Sequence, residues 1–278
     1  MLGQRLLVAA IGIPVLALVL LAGQLWIVAL LAVLIVVAAI EMAGLLNRAG
    51  YPVQPAVAGA VALLMAGGTA LAGLTGALLP AAWAIAIVFA ALVSLLRRDP
   101  EEGTRRLAGT ALVAISAAAL SGLIGVVISA PADGLVRLVA YGLDPGRELL
   151  LVIVLTVWAY DTAAYTVGRI FPRGHFFAHI SPNKTWSGAI GGLVGATLVG
   201  YVLGLLIGRP LEGLGLGVLV GLFAPIGDLV ESMLKRAAGV KDSSRIFPGH
   251  GGVLDRMDSF LAVAPAAWLY LMLVGLVA

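Results

Sequence analysis

LLVAAIGIPVLALVLLAGQLWIVALLAVLIVVAAIEMAGLL, residues 6–46, is apolar almost throughout and carries one charged side chain, Glu41. A helix rising 1.5 Å per residue needs about 20 apolar residues to cross the hydrocarbon core of a bilayer. This stretch is long enough for two crossings, and Gly23-Gln24 divides it near the middle. It reads as a helical hairpin in a membrane. The competing reading of residues 1–23, with Arg5 ahead of an apolar run, is a signal peptide. A second apolar run follows almost at once, which favours a retained first helix.

Outward from this hairpin the same pattern recurs. With the hairpin helices at 5–22 and 25–46, the reading continues with spans at 56–73, 79–96, 107–130, 148–170, 186–207, 214–235 and 256–277. The breaks fall at Asn47-Arg48-Ala49-Gly50-Tyr51-Pro52, at Pro80, in the charged run Arg97–Arg106, and at Asp144-Pro145-Gly146. The expected fold is therefore all-α, a polytopic membrane bundle of about nine helices. Composition agrees: 62% of the 278 residues are hydrophobic and 11% are charged, where a soluble domain carries about 25% charged residues. The absence of cysteine excludes a disulfide scaffold, thiol catalysis and cysteine-ligated zinc. A net charge of +3 without an aromatic-interleaved basic tract argues against nucleic acid as a partner.

Lys and Arg placement gives the orientation. With a cytoplasmic N-terminus, alternation puts fourteen basic residues on the cytoplasmic side: Arg5, Arg48, Arg97, Arg98, Arg105, Arg106, Arg169, Arg173, Lys184, Lys235, Arg236, Lys241, Arg245 and Arg256. Three remain opposite: Arg137, Arg147 and Arg209. The polar loops 169–185 and 236–255 then share the cytoplasmic side. Two regions are expected: residues 1–130 as scaffold helices, with Glu41 near a helix end, and residues 131–278 as the region bearing the chemistry. The run 97–106, balanced in sign, is expected to be a solvated loop.

Ionisable groups within spans face a cavity, a partner or a substrate. Asp161, Tyr165, Gly168 and Arg169 fall on one face of the sixth span. In the eighth span Asp228, Glu231, Ser232 and Lys235 form a polar face at i, i+3, i+4 and i+7. A Glu231–Lys235 ladder is the plainer explanation, but it leaves Asp228 without a role. Pro225 and Gly227 are expected to weaken that helix. Gly249, Gly251 and Gly252 permit close backbone approach, as a phosphate-cradling loop requires. Asp255 and Asp258, at i and i+3, are expected to point the same way from the start of the ninth helix. Asp228 and Asp255 are hard oxygen donors suited to Mg²⁺. Ser181, Asn183 and Thr185 precede an apolar run as helix-capping residues, where an N-terminus attracts phosphate and Lys184 adds charge. Gly188/Gly192 and Gly191/Gly195 are small-residue pairs for close helix packing. His175 and His179 are read as interfacial polar residues in preference to metal ligands.

These residues together resemble the phosphatidate cytidylyltransferase family, or CDP-diacylglycerol synthases. The resemblance rests on Ser232, Lys235, Arg236, Lys241, Asp242, Pro248, Gly249, His250, Gly251, Gly252, Asp255, Arg256 and Asp258 in the family's spacing. The segment from Asp161 to Arg169 and the Ser181-Pro182-Asn183-Lys184-Thr185-Trp186 stretch add to it, so it covers roughly residues 158–260. The family usually has Glu-Gly after Lys-Thr-Trp, where this chain has Ser187-Gly188. Either that acid's role is missing here, or another acid such as Glu231 supplies it.

The resemblance implies transfer of the cytidylyl group of CTP to phosphatidic acid, giving CDP-diacylglycerol and pyrophosphate. It implies Mg²⁺, with or without a second cation, held by Asp228 and Asp255 and supported by Asp258 and Asp161. Lys184, Lys235, Arg236, Lys241 and Arg256 would neutralise phosphates, with Asp242 and His250 completing the catalytic set. Arg169, Ser181, Asn183, Thr185, Ser232, Arg245, Gly249, Gly251 and Gly252 would line the substrates. A homodimer in a bacterial cytoplasmic membrane, its site facing the cytoplasm, is the expected setting. The alternatives are a CTP-dependent membrane enzyme acting on another lipid phosphate or lipid alcohol, and an ion-coupled transporter.

Overall fold

The computed structural model describes residues 2–75, 99–130, 143–249 and 251–277. The expected span 79–96 and the residues Arg97, Arg98, Arg137 and His250 lie outside the described residues. Nine helices follow one another among those described: α1 (Leu2–Ala22), α2 (Gln24–Arg48), α3 (Pro55–Thr75), α4 (Pro100–Ser129), α5 (Pro145–Ile170), α6 (Trp186–Leu206), α7 (Pro210–Ala237), α8 (Leu254–Met257) and α9 (Phe260–Leu273). Five of these, α2, α4, α5, α6 and α7, are long and apolar enough to cross a membrane, and Gly12–Ala22, Pro55–Leu71 and Phe260–Leu273 are shorter apolar helices. The all-α, multi-span reading holds.

Helix starts follow the local chemistry. Asp144 caps α5 by accepting from the Arg147 amide at 2.9 Å, with Pro145 at the first helical position. The charged run does not stay a loop beyond Asp99: α4 begins at Pro100. The Asp99 carboxylate accepts from the Glu101 amide at 3.0 Å, and Glu101 and Glu102 occupy the first turn. Glu101–Arg105 and Glu102–Arg106 then pair at i, i+4 across 3.5 and 3.2 Å. Balanced charges, read as solvation, are here a helix-supporting ladder. The expected ninth span is interrupted: α8 is one turn long, and α9 starts after Asp258-Ser259. Pro225 lies within α7 without ending it.

The chain forms two compact units: Met1–Gly125 with Met233–Met257, and Val126–Ser232 with Asp258–Ala278. In the first, α2 buries Ile27, Leu31, Ile35, Met42 and Leu46 in a helical stripe beside α3, and Val61 and Met65 of α3 and Leu120 of α4 are buried too. Thr69 and Ser121 meet through their hydroxyls at 3.2 Å within this packing. Residues 241–254 belong to the same unit, so part of the signature region packs with the N-terminal helices.

In the second unit, glycine sets the helix spacing. A Cβ on Gly191, Gly192 or Gly195 of α6 would strike Val167, Tyr160 or Ala163 of α5. On the neighbouring face, Gly200 and Gly204 of α6 lie directly against Gly213 and Gly217 of α7. Lipid and helix interiors are equally apolar, so close van der Waals packing is what holds such seams. Leu198, Val202 and Leu205 of α6 stay exposed, as lipid-facing side chains do.

Candidate active site

The loop 171–185 closes on itself and delivers Lys184. His175 bridges Thr185, the Phe176 amide donates to the Lys184 carbonyl at 2.9 Å, and the Trp186 amide donates to Gly174 at 2.9 Å. Phe176 packs edge-on against Trp186 with ring centres 4.4 Å apart. Thr185 caps α6 by accepting from the Gly188 amide at 3.1 Å. The Lys184 ammonium then sits 2.7 Å from Asp228 Oδ2 of α7.

Asp228, Glu231 and Asp258 each offer an oxygen within 4.8 Å of the others. Glu231 is fully buried. The Ser232 hydroxyl donates to Asp228 at 3.3 Å, and Asp258 accepts from the Ser259 amide at 2.7 Å. Gly227 makes the approach possible, because a Cβ there would collide with the carbonyls of Asp258 and Ser259. Gly227 thus serves packing, and α7 is continuous through it. At a separation of 4.8 Å each pair of ionised carboxylates repels by about 3 kcal/mol at an effective dielectric of ~20. Lys184 offsets part of that charge. An all-oxygen, strongly anionic group with one lysine beside it has the donor chemistry that Mg²⁺ prefers. Tyr160 lies within electrostatic range of both Asp228 and Asp161.

Asp255 takes different partners from Asp258. It is buried in the first unit, where Oδ1 accepts from the Lys235 ammonium at 2.7 Å. Oδ2 accepts from the Ser243 amide (2.8 Å), the Ser243 hydroxyl (2.6 Å) and the Gly252 amide (2.8 Å). Burial pushes this carboxyl upward, but Lys235, Ser243 and the two amides outweigh it and lower its pKa to about 2. Oδ2 is saturated, so Oδ1 is the oxygen with coordinating capacity. Lys235 therefore pairs with an acid twenty residues on. The helix expected to carry both acids is broken between them, at Asp258-Ser259.

The two glycines before α8 give close approach, as expected, but to the chain's own carboxylates. A Cβ on Gly251 would meet Asp255, and one on Gly252 would meet Glu41 and Ser243. Glu41, assigned to the scaffold, is buried and accepts from the Ser244 hydroxyl (2.6 Å), the Leu254 amide (2.7 Å) and the Val253 amide (3.1 Å). Sequence reasoning missed it. The only signal available was a lone acid at the end of an otherwise apolar span.

Of the remaining expected residues, Arg236 donates to the Val240 carbonyl at 3.2 Å and closes the end of α7. Arg169 donates to the Tyr165 hydroxyl at 2.6 Å. Lys241, Asp242, Arg245, Arg256, Asn183 and Gly249 are exposed, and Ser181 is half-buried. Ser187, where the resembled family has Glu, donates to the Phe171 carbonyl and holds the start of the 171–185 loop. His250 lies outside the described residues.

Residues 3–274 match the profile of the cytidylyltransferase family. The chain belongs to that family. The match takes in α1–α4, so the family likeness extends well beyond residues 158–260, where the sequence resemblance had confined it. Among relatives, a phosphatidate cytidylyltransferase of Haemophilus influenzae is 44% identical over 138 residues, covering 46% of this chain and 48% of the relative. Those of Staphylococcus saprophyticus and Brucella suis are 42% and 43% identical over 123 and 127 residues, 43% and 45% of this chain and 47% of each relative. The matched stretch thus spans about half the length of these curated relatives. As a cytidylyltransferase family member with apolar helices long enough to cross a bilayer, the protein is a multi-pass membrane protein.

Proposed function

We propose that the protein transfers the cytidylyl group of CTP to phosphatidic acid, forming CDP-diacylglycerol and pyrophosphate at the cytoplasmic face of a bacterial cytoplasmic membrane. The observation that carries this reading is the group Asp228, Glu231 and Asp258, with the Lys184 ammonium 2.7 Å from Asp228; Asp228 and Glu231 stand on α7, a helix long enough to cross a membrane. The names of the relatives support the substrate pair.

In the reaction a phosphatidate oxygen attacks the α-phosphorus of CTP. A P–O bond forms there, the bond to the bridging oxygen of the β-phosphate breaks, and that electron pair leaves on pyrophosphate. The nucleophile is already an anion, so the protein's work is to position two polyanions and neutralise them. Mg²⁺ bound by Asp228, Glu231 and Asp258 would offset phosphate charge that these carboxylates alone would repel. The resemblance gives Asp161 a supporting role beside the metal. Lys184 exchanges its carboxylate partner for a phosphate oxygen as substrate arrives. The resemblance assigns phosphate neutralisation also to Lys235, Arg236, Lys241 and Arg256; Ser181, Asn183 and Arg169 offer hydrogen bonds to the lipid headgroup. Acyl chains remain in the bilayer throughout.

The test is pyrophosphate release by detergent-solubilised protein given CTP and phosphatidic acid, with and without Mg²⁺. Release that needs both substrates and the metal is expected. Release with a polyprenol or an isoprenoid-ether lipid phosphate, and none with phosphatidic acid, would move the protein to another acceptor. Folded protein that releases none with any acceptor would overturn the reading.

A further inference from the structure

We infer that Glu41 is a positioning residue for Asp255, acting from the N-terminal half of the chain. The kinetic part of this inference rests on the cytidylyltransferase reading; the structural part does not. Glu41 lies in α2 and is 6% exposed. A buried carboxylate is tolerated only where donors surround it. Among the described residues its donors come from one distant segment: the Ser243 and Ser244 hydroxyls and the Val253 and Leu254 amides, up to 213 residues away in sequence. Ser243 lies between this acid and the next: its hydroxyl is 2.6 Å from Asp255 Oδ2 and 3.2 Å from Glu41 Oε2.

The segment these bonds hold is α8, four residues long. A helix this short has no stability of its own, because nucleation costs more than one turn returns. Its geometry is set by what binds its leading amides. Glu41 holds those of Val253 and Leu254, immediately before Asp255, while Asp255 holds those of Ser243 and Gly252. The two carboxylates therefore fix one loop from both sides; Gly252 leaves room for Glu41 and the Ser243 hydroxyl, and Gly251 for Asp255. Removing Glu41 frees the leading edge of α8 and lets the Asp255 carboxylate swing.

The test uses the full-length, detergent-solubilised protein with Glu41→Gln, Glu41→Asp and Ser244→Ala. Glutamine keeps the shape but presents an NH₂ to amides that need an acceptor. Hydrogen exchange is expected to rise in peptides covering 243–257 and to stay unchanged in α5 and α6. Turnover should fall on the order of 10–100-fold with KM for CTP little changed, as misplacement of Asp255, which the resemblance assigns to Mg²⁺, predicts. Glu41→Asp, which keeps the charge, should recover part of both signals. Ser244→Ala removes one donor and should shift 243–257 in the same direction by less; it carries the test if the Glu41 variants do not fold. Unchanged exchange in 243–257, or a uniform rise across the whole chain, would overturn the inference. So would wild-type turnover in Glu41→Gln. If the wild-type protein releases no pyrophosphate, the cytidylyltransferase reading fails, and the exchange arm still decides whether Glu41 holds the loop.

Discussion

At the residue scale, Asp255 makes a pH prediction whose sign follows from its partners. Its folded pKa, about 2, lies below the ordinary 3.8. It therefore adds stability above the ordinary value and loses it as pH falls through 2. A shift of this size corresponds to about 2 kcal/mol. Unfolding midpoints measured from pH 6 to pH 2 should decline below about pH 4, and Asp255→Asn should flatten that decline; an unchanged acid limb would remove the assignment. Lys184 makes a contrasting prediction. Its pair with Asp228 is partly exposed, with side chains 22% and 35% accessible, and such pairs contribute under about 1 kcal/mol. Lys184→Ala should leave the unfolding midpoint nearly unchanged while lowering kcat/KM on the order of 100-fold. A large loss of stability with intact turnover would make Lys184 structural. Both residues were legible in the sequence because charge within or beside an apolar span has few other uses. Glu41 was not. Its donors lie more than 200 residues away, and no periodicity links such positions.

Among the helices, a distinction the sequence cannot make becomes testable. Thirty-six glycines are scattered through the chain, and the pattern alone marks only those at small-residue spacing. The pairs Gly188/Gly192 and Gly191/Gly195 were legible for that reason, and they do face α5. The contact of Gly200 and Gly204 with Gly213 and Gly217 was not, because it needs two helices brought side by side. A Cβ on Gly217 would strike the backbone of Ala196 and Thr197, which no rotamer change relieves, whereas Gly67 of α3 has open space where its Cβ would be. Gly217→Ala should destabilise by about 1–3 kcal/mol through overpacking. Gly67→Ala should be neutral or stabilising by up to about 1 kcal/mol, since alanine is the better helix former. Unfolding midpoints in detergent check both, and equal effects at the two positions would refute the seam. The start of α4 departs from the sequence expectation for a related reason. Balanced charge suits a solvated loop, but Asp99 and the two i, i+4 pairs turn the same residues into a capped helix.

For the whole molecule, the open matter is which way the bundle faces, and the basic residues predict it. Fourteen lysines and arginines fall on one side and three on the other when the N-terminus is cytoplasmic. That assignment puts the 171–185 loop with Lys184 inside, and the short connection before α7 outside. CTP is charged and cannot cross the bilayer, so a cytidylyltransferase must present its phosphate-binding lysine to the compartment that holds CTP. The chain has no cysteine, so a single introduced thiol reports its own location. Arg173 is exposed in the 171–185 loop, and Leu211 is 75% exposed at the start of α7. A membrane-impermeant maleimide applied to intact cells should label Leu211→Cys and should reach Arg173→Cys only after the membrane is opened. The reverse pattern would place Lys184 away from its nucleotide. It would also overturn the orientation and, with it, the proposed reaction at the cytoplasmic face.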